Sequence, residues 1–317
     1  MGRYVAGDSP EMDRKVREAL KGIGGEIDAL RLPKLLGVVL CGGYARGEGG
    51  VAELQRGKRR LSDDLDLYVV AKDGAGRRDV DAIAAALVPV AVRWRGLLGV
   101  DIDFCRAKTP RRIRRDQDRL AVQELLHGYF DVAGAKGAEM FRGVEARQPS
   151  ALPWIEAVRL LVNRGVGLVL TVESDAKGFV LRNLNKCVLG AGDALLIARG
   201  KYAWKIADRA AALGDPRYSA AMDCKFRPVG KKVCGRDEAR DMWLAAVDEV
   251  LETGRRTGAM VRSFRQAVGW ILRRRTVGDR NTLGCDPAVR MLHELAGVVK
   301  AGRTMPPSLR RDWEMFG

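Results

Sequence analysis

Two short apolar segments each carry a pair of aspartates two positions apart, with aliphatic residues between and after them, and this alternation restricts what they can form. Residues 63–70 read DDLDLYVV and residues 99–105 read GVDIDFC. A period of two is that of a β-strand with one buried face, because successive side chains of a strand point to opposite sides of the sheet. We therefore predict strands at residues 65–70 and 100–105, with aliphatic side chains in a core and aspartates on the other face.

The other segments of the first half predict two helices, a further strand and a loop. Residues 12–30 have apolar side chains at helical spacing after an acidic start, and Pro33 ends this predicted helix. The apolar run at residues 35–41 predicts a buried strand. Residues 49–62 are polar and basic and predict a loop, while residues 79–88 predict a helix.

Helical periodicity dominates the second half of the chain. Pro149 and Pro153 bracket a natural boundary before it. The sequence therefore predicts an α+β domain at residues 1–150 and an α-helical domain at residues 151–317, both of ordinary size. The predicted helices of the second domain are at residues 154–170, 177–199, 201–213, 236–252, 259–275 and 287–300.

The composition argues against a disordered protein and against a membrane protein. Of the 317 residues, 47% are apolar and 30% are charged, as in soluble globular proteins. The longest apolar stretches are interrupted before the ~20 residues that a membrane span needs, and the N-terminus lacks the apolar core of a signal peptide. The six cysteines are scattered, without the spacing of a zinc site or a disulfide framework. We therefore expect a cytoplasmic protein with no membrane partner.

The net charge of +16 has two interpretations. A strongly basic protein attracts polyanions, such as nucleic acids or polyphosphate ligands. Arginine outnumbers lysine, however, and alanine, glycine and valine are abundant, which is what a GC-rich coding sequence produces without selection for binding. Both interpretations stay open at this stage.

The aspartates of the two predicted strands form a pattern that suits a metal site. Asp64 and Asp66 are on one face of the first strand, where two neighbouring carboxylates repel each other unless a cation lies between them. Hard oxygen ligands of this kind suit Mg²⁺. If the second strand is adjacent, Asp101 or Asp103 completes a group of three carboxylates. Such a group can hold two metal ions for phosphoryl or nucleotidyl transfer.

A glycine-rich turn precedes the first acidic strand. Residues 40–50 read LCGGYARGEGG. Gly42 and Gly43 allow backbone N–H groups to approach phosphate oxygens, because no Cβ is in the way. Arg46 can donate a charge-assisted hydrogen bond to a phosphate or pair with a local acid.

The turn GGYARGEG, the strand SDDLDLYVV and the later VDID resemble the DNA polymerase β-like nucleotidyltransferase superfamily. They are similar to its small prokaryotic members with a helical C-terminal domain. The motifs cover residues 35–106, about a third of the chain. The resemblance implies a mixed sheet with flanking helices, a donor such as ATP or another NTP, two Mg²⁺ ions, with Mn²⁺ as a substitute, and release of pyrophosphate.

Carried over by position, the resemblance implies a role for each motif. The glycine turn binds phosphate, and Asp64 and Asp66 bind metal. Asp101 is the third carboxylate and draws the proton from the acceptor hydroxyl, with Asp103 as the alternative.

Two departures from the family pattern stand out. The serine that is usual in the turn is replaced by Gly43, which removes a side-chain contact to phosphate. The segment between the turn and the acids is longer than in minimal members and suggests an added loop beside the site. The cations of this segment are Arg56, Lys58, Arg59 and Arg60.

The helical domain offers further cations. In related enzymes this domain closes over the nucleotide and supplies basic groups to the triphosphate, which makes Lys186 the first candidate and Lys205 the second. The residues themselves leave two alternatives for Lys186, an ion pair with Asp193 or plain surface charge.

The leading hypothesis is an NTP-dependent transfer of a nucleoside monophosphate to a hydroxyl of an RNA or tRNA end, a nucleotide or a protein. The positive charge favours RNA or a nucleotide over a cationic aminoglycoside. The alternative hypothesis is a catalytically degenerate RNA- or protein-binding module of a toxin–antitoxin or defence system.

Overall fold

The chain forms two compact units. The computed structural model describes residues 3–7, 9–228, 234–263 and 286–316. One unit comprises residues 1–147 together with 223–229, and the other comprises 148–222 together with 230–317. The first crossing between the units lies close to the predicted boundary at residue 150. The return of residues 223–229 to the first unit has no signal in the sequence.

A mixed sheet forms the centre of the first unit. The strands of this unit are β1 Leu35–Leu40, β2 Val51–Glu53, β3 Arg59–Leu61, β4 Leu65–Ala71, β5 Ile102–Phe104 and β6 Phe130–Gly134. The sheet has the order β5-β4-β1-β6, in which β4 pairs parallel with β5 and antiparallel with β1. The α+β class and the strands predicted at both acidic segments are therefore confirmed, with β5 shorter than predicted.

Helices cover both faces of this sheet. The helices of the first unit are α1 Pro10–Ala29, α2 Gly42–Ala45, α3 Arg77–Leu98, α4 Pro110–Arg115, α5 Leu120–Leu126 and α6 Gly137–Met140. On one face Leu65, Leu67 and Ile102 pack in a core with Ile23 of α1 and Leu87 of α3. This core explains the apolar half of the alternating pattern, because burial of each such side chain stabilises the fold by about 1.5–3 kcal/mol.

The second face of the sheet carries the other half of the pattern. There Val39, Tyr68 and Val70 pack with Ile113 of α4 and Leu125 of α5. Alternation along β4 places Asp66 on the same face as Tyr68, but beyond the edge of this core, where Asp66 is only partly buried.

Two segments of the first unit differ from their prediction. The predicted loop at residues 49–62 contains the hairpin β2–β3, in which Val51 pairs with Leu61 and Glu53 pairs with Arg59. Strands of three residues are too short to show a period of two. Helix α3 also extends well beyond the predicted residues 79–88 and ends at Gly99, whose φ of 73° suits a left-handed cap.

The second unit is helical. Its helices are α7 Trp154–Leu170, α8 Lys177–Ala198, α9 Ile206–Leu213, α10 Pro216–Phe226, α11 Arg236–Arg256, α12 Pro287–Lys300 and α13 Pro307–Phe316. The last residues of α10 belong to the first unit. Trp243 of α11 is fully buried and donates its indole N–H to the Leu161 carbonyl at 3.0 Å. Among the described helices, none is long and apolar enough to cross a membrane.

Most helices predicted for the second half are confirmed. Those at residues 154–170 and 287–300 agree with α7 and α12 at both ends. The helix predicted at 201–213 begins later, at Ile206, because Lys201 to Lys205 are not helical. The helix predicted at 259–275 is helical at residues 259–263 and beyond them lies outside the described residues.

Candidate active site

The glycine turn and the first acidic strand meet at one end of the sheet. Strand β1 ends at Leu40, which pairs with Leu67 of β4. The next residue, Cys41, donates its backbone N–H to the Asp66 carbonyl at 2.8 Å. Helix α2 then starts at Gly42, so the start of the turn and Asp66 are direct neighbours, although 25 positions separate Cys41 from Asp66 in sequence.

Gly42 faces the carboxylate of Asp66. Its φ is 71°, in the left-handed region that favours glycine. A Cβ built at Gly42 would lie 2.1 Å from Asp66 Oδ2. A side chain at Gly42 is therefore excluded for two independent reasons, the left-handed backbone conformation and the space that the Asp66 carboxylate occupies.

The strand register selects between the two acids of β5. Asp66 of β4 is paired with Asp103, and Leu65 is paired with Ile102. Paired residues of adjacent strands project from the same face, so Asp103 lies beside Asp66 on the face opposite the α1–α3 core. The geometry therefore favours Asp103, the alternative third carboxylate, over Asp101.

The Asp101 carboxylate forms an ion pair with a residue of α3. Asp101 precedes β5, and its Oδ1 atom lies 2.9 Å from Nε of Arg95 in the last turn of α3. The Asp101 side chain is 51% exposed. Its backbone carbonyl accepts a hydrogen bond from Leu65 N–H at 2.9 Å, which ties β5 to β4. Asp101 thus has a structural role at the start of the strand pair.

The head of β4 is fixed by Asp63, which sequence reasoning did not assign. Its Oδ2 atom accepts a hydrogen bond from Gly50 N–H at 3.1 Å and joins the end of the turn to the acidic strand. Asp64 follows, partly exposed, and Leu65 is fully buried after it. Asp64 and Asp66 therefore flank a core residue and lie on the shared face that the period predicts.

Burial keeps two side chains of the turn protonated. It raises the pKa of the Cys41 thiol, and the charge of Asp66 raises it further. It also raises the pKa of the Tyr44 phenol, to which the charge of Asp63 contributes. Tyr44 donates to the Gly50 carbonyl at 3.0 Å. Cys41 is a neutral thiol at pH 7 and does not provide a thiolate nucleophile.

Arg46 pairs with local acids. Its Nε atom lies 3.2 Å from Glu48 Oε2, and its Nη1 atom lies 3.8 Å from Glu124 Oε2. This is the second of the two roles expected for Arg46. A phosphate contact by this residue stays a prediction.

A lysine distant in sequence contributes to the turn. The Lys225 ammonium donates to the Glu48 carbonyl at 3.1 Å, across 177 positions of the chain, and lies 3.8 Å from Asp63 Oδ2. A Cβ at Gly43 would lie 2.9 Å from Lys225 Nζ. No motif in the sequence marks Lys225, since it lies near the end of an unpredicted helix.

The fit of this site to Mg²⁺ depends on donors and on geometry. Asp66 and Asp103 provide hard oxygen donors on one face of adjacent strands, and Asp64, which directly precedes β4, provides a third carboxylate. Over the described part of the chain, no three His, Cys, Asp or Glu side chains are gathered closely enough to hold a metal ion. The donor chemistry and the backbone register therefore fit Mg²⁺, while the carboxylates themselves do not converge on one point.

The remaining sequence-predicted cations lie elsewhere. Arg56 and Lys58 lie in the exposed connection between β2 and β3, while Arg59 and Arg60 are exposed residues of β3, where Arg59 lies 3.6 Å from Glu53. In the second unit Lys186 is an exposed residue of α8 and Lys205 immediately precedes α9. A nucleotide role for these two lysines stays a prediction.

Asp193, the expected alternative partner of Lys186, belongs to a buried network. Its Oδ1 atom lies 2.8 Å from Nε of Arg209 and accepts a hydrogen bond from the Tyr218 hydroxyl at 2.6 Å. Arg209 and Tyr218 are therefore both partners of the Asp193 carboxylate.

No protein-family model matches this chain, and no curated protein sequence matches it. A functional assignment must therefore be argued from the residues of the site.

Proposed function

We propose that this chain is a metal-dependent nucleotidyltransferase with a polymerase β-like catalytic domain. It transfers a nucleoside monophosphate from an NTP to an acceptor hydroxyl and releases pyrophosphate. The observation that supports this most directly is the pairing of Asp66 with Asp103 beside the turn that starts at Gly42. A glycine turn or an acidic strand alone is common by chance, whereas their meeting at one end of one sheet is not required by the fold.

Each of the three acids has a defined role in the proposed reaction. Asp64, Asp66 and Asp103 are the proposed ligands of Mg²⁺, whose charge would offset that of the transferring phosphoryl group. The acceptor oxygen attacks the α-phosphorus, the bond from this phosphorus to the bridging oxygen breaks, and pyrophosphate leaves. Asp103 accepts the proton of the acceptor hydroxyl.

The turn is proposed to hold the NTP. Gly42 and Gly43 present backbone without a side chain next to the Asp66 carboxylate. Backbone N–H groups that approach phosphate oxygens closely need such an opening. The protonated Cys41 thiol adds no further negative charge beside the phosphates.

The proposed acceptor is an RNA end or a nucleotide. The net charge of +16 and the exposed cations of the β2–β3 hairpin support an anionic acceptor. Neutralised phosphates make binding salt-dependent, so the apparent affinity for an RNA acceptor should fall steeply with ionic strength. An affinity that does not change with salt would argue for an uncharged acceptor.

One observation favours the alternative of a non-catalytic binding module. Over the described residues, the side chains of the acids do not form a gathered metal group. A family member that has lost catalysis would keep the sheet and the basic surface without such a group.

The test uses α-phosphate-labelled NTPs with Mg²⁺ or Mn²⁺ and three acceptor pools: total RNA, nucleotides and cell proteins. We expect a labelled product with the wild type and at least a thousandfold slower labelling with Asp66→Asn. The matched control is Asp237→Asn, because Asp237 is an exposed acid of α11 that contacts Arg240. Equal labelling by wild type and Asp66→Asn would overturn the role of Asp66, and no labelled product with any acceptor would support the binding module instead.

A further inference from the structure

The Lys225 ammonium lies at the opening of the glycine turn with hydrogen-bonding capacity to spare. An ammonium group has three N–H donors. Within the described residues it has one hydrogen-bond acceptor, the Glu48 carbonyl at 3.1 Å, while Asp63 Oδ2 at 3.8 Å is beyond hydrogen-bond distance. The Lys225 side chain is 23% exposed and therefore only partly enclosed by the protein.

The same contact explains why residue 43 is a glycine. Gly42 needs its left-handed φ, but Gly43 does not have a φ in that region. What a side chain at Gly43 would meet first is Lys225 Nζ, at 2.9 Å from its Cβ, and then the Glu48 carbonyl at 3.4 Å. The glycine at residue 43 is therefore explained by the space that the Lys225 ammonium occupies and not by a backbone conformation that only glycine adopts.

We propose that Lys225 provides the phosphate contact that a side chain at residue 43 would otherwise provide, and that its ammonium binds the triphosphate of the NTP. The inference rests on the proposed function, and it adds a residue that the motifs do not contain. A cation at this opening offsets the charge that the phosphates bring next to Asp63 and Asp66. Lysine does this as a point charge, which suits phosphate oxygens.

A purely structural role makes different predictions. If Lys225 served only to hold the turn through the Glu48 carbonyl, its loss would lower stability without changing the affinity of the folded protein for phosphate. If it binds phosphate, a Cβ at Gly43 should weaken phosphate binding although Lys225 is still present. The reason is that the Cβ displaces the end of a flexible side chain.

The experiment measures binding of a non-hydrolysable NTP analogue with Mg²⁺, and of inorganic tripolyphosphate, to the full chain by titration calorimetry. The variants are Lys225→Met, Gly43→Ala and the double variant. Lys34→Met is the control for loss of one positive charge, because Lys34 is exposed and precedes β1, at the strand end away from the turn. Thermal unfolding without ligand reports whether each variant is folded.

We expect Lys225→Met to raise both dissociation constants about 10- to 100-fold, the value of a charge-assisted hydrogen bond. Gly43→Ala should act in the same direction, and the double variant should bind no more weakly than Lys225→Met, because both changes remove one contact. Lys34→Met should bind as the wild type does. Gly43→Ser in the Lys225→Met background should recover part of the affinity.

Three results would overturn the inference. Wild-type affinity in folded Lys225→Met or in Gly43→Ala would do so while leaving the proposed function intact. Additive losses in the double variant would show that Gly43 and Lys225 act separately. If the wild type bound neither the analogue nor tripolyphosphate, the proposed function would fail together with the inference. Lys225→Gln, which keeps a donor for the Glu48 carbonyl but removes the charge, keeps the test decisive even if Lys225→Met does not fold.

Discussion

Two regions of the molecule hold a cation beside an aspartate, and they differ in how fully the cation is satisfied. In the second unit Arg209 is 3% exposed and donates to the Tyr218 and Tyr202 hydroxyls, in addition to its contact with Asp193. It also donates to the Ala203 and Trp204 carbonyls. In the first unit Lys225 is 23% exposed and donates to one carbonyl among the described residues.

The difference separates a structural charge from one that can bind a ligand. A buried guanidinium with several acceptors around it stabilises the fold, because little of it is left to recognise another molecule. Burial also raises the pKa of Tyr218, so that its hydroxyl stays a donor to Asp193. A partly exposed ammonium with spare donors, next to a turn without side chains, is available to an anion.

The largest effect is expected for the third carboxylate. Asp103→Asn should lower the rate of nucleotidyl transfer at least a thousandfold, which corresponds to about 4 kcal/mol in the barrier. Asp101→Asn should change it less than about fivefold, because its exposed pair with Arg95 contributes at most about 1 kcal/mol. Initial rates of labelled product formation measure both. A larger loss in Asp101→Asn than in Asp103→Asn would reverse the assignment.

The buried network should govern stability instead. Arg209→Met should lower the free energy of unfolding by about 3 kcal/mol, because Asp193 is left in the interior without its cation. This loss is at the lower end of the range for breaking a buried ion pair, because the Tyr218 hydroxyl still donates a hydrogen bond to Asp193. Urea unfolding measures the change, with Arg217→Met as the control for a more exposed pair, that with Asp215. A change below about 1 kcal/mol would show that the network contributes little.

The two glycines of the turn should respond unequally. Gly42→Ala should destabilise by about 2 kcal/mol, since alanine disfavours a φ of 71° and its Cβ would meet Asp66. Gly43→Ala should cost less than about 1 kcal/mol, because only the end of the Lys225 side chain has to move. Thermal and urea unfolding of the two variants provide the comparison. Equal losses would contradict the spatial explanation for Gly43.

The period of two predicted the strand that carries the candidate site and the phase of its faces. Strand β4 and the shared face of Asp64 and Asp66 follow from alternation alone, because the buried Leu65 and Leu67 set the phase. The same local pattern could not decide between Asp101 and Asp103, since that choice depends on the register between β4 and β5. Register is a relation between segments, and no pattern within one segment contains it.

The cations were harder to predict for a related reason. Lys225 reaches the turn across 177 positions, and in the sequence it looks like any other helical lysine. Arg209 follows the exposed Asp208 in a short helix, so its burial is visible only once Tyr202 and Tyr218 surround it. The hairpin β2–β3 was missed because strands of three residues have no measurable period.

The smallest effect on stability is expected for an exposed ion pair of the second unit. This pair extends the comparison of buried and partly exposed cations to the protein surface. Arg199 of α8 binds Glu249 of α11 through two hydrogen bonds of 2.7 and 2.8 Å, and this bonding holds the pKa of Glu249 below its ordinary value. A lowered pKa in the folded state stabilises the protein above the unfolded value of about 4.3, and the stabilisation disappears as the pH falls through the folded value. Glu249→Gln should therefore cost less than about 1 kcal/mol at pH 7, because water screens the pair.

That cost should also shrink towards zero between pH 5 and pH 3 (approximate limits set by the ordinary glutamate pKa of about 4.3). Urea unfolding of wild type and Glu249→Gln across this range measures the gap, and Glu252→Gln, an exposed glutamate of the same helix that contacts Arg255, is the matched control. A gap that stays constant as the pH falls would mean that Glu249 contributes through packing of its side chain and not through its charge. A gap as large as that of Arg209→Met would remove the distinction between buried and exposed cations, because screening would then have no measurable effect on the pair.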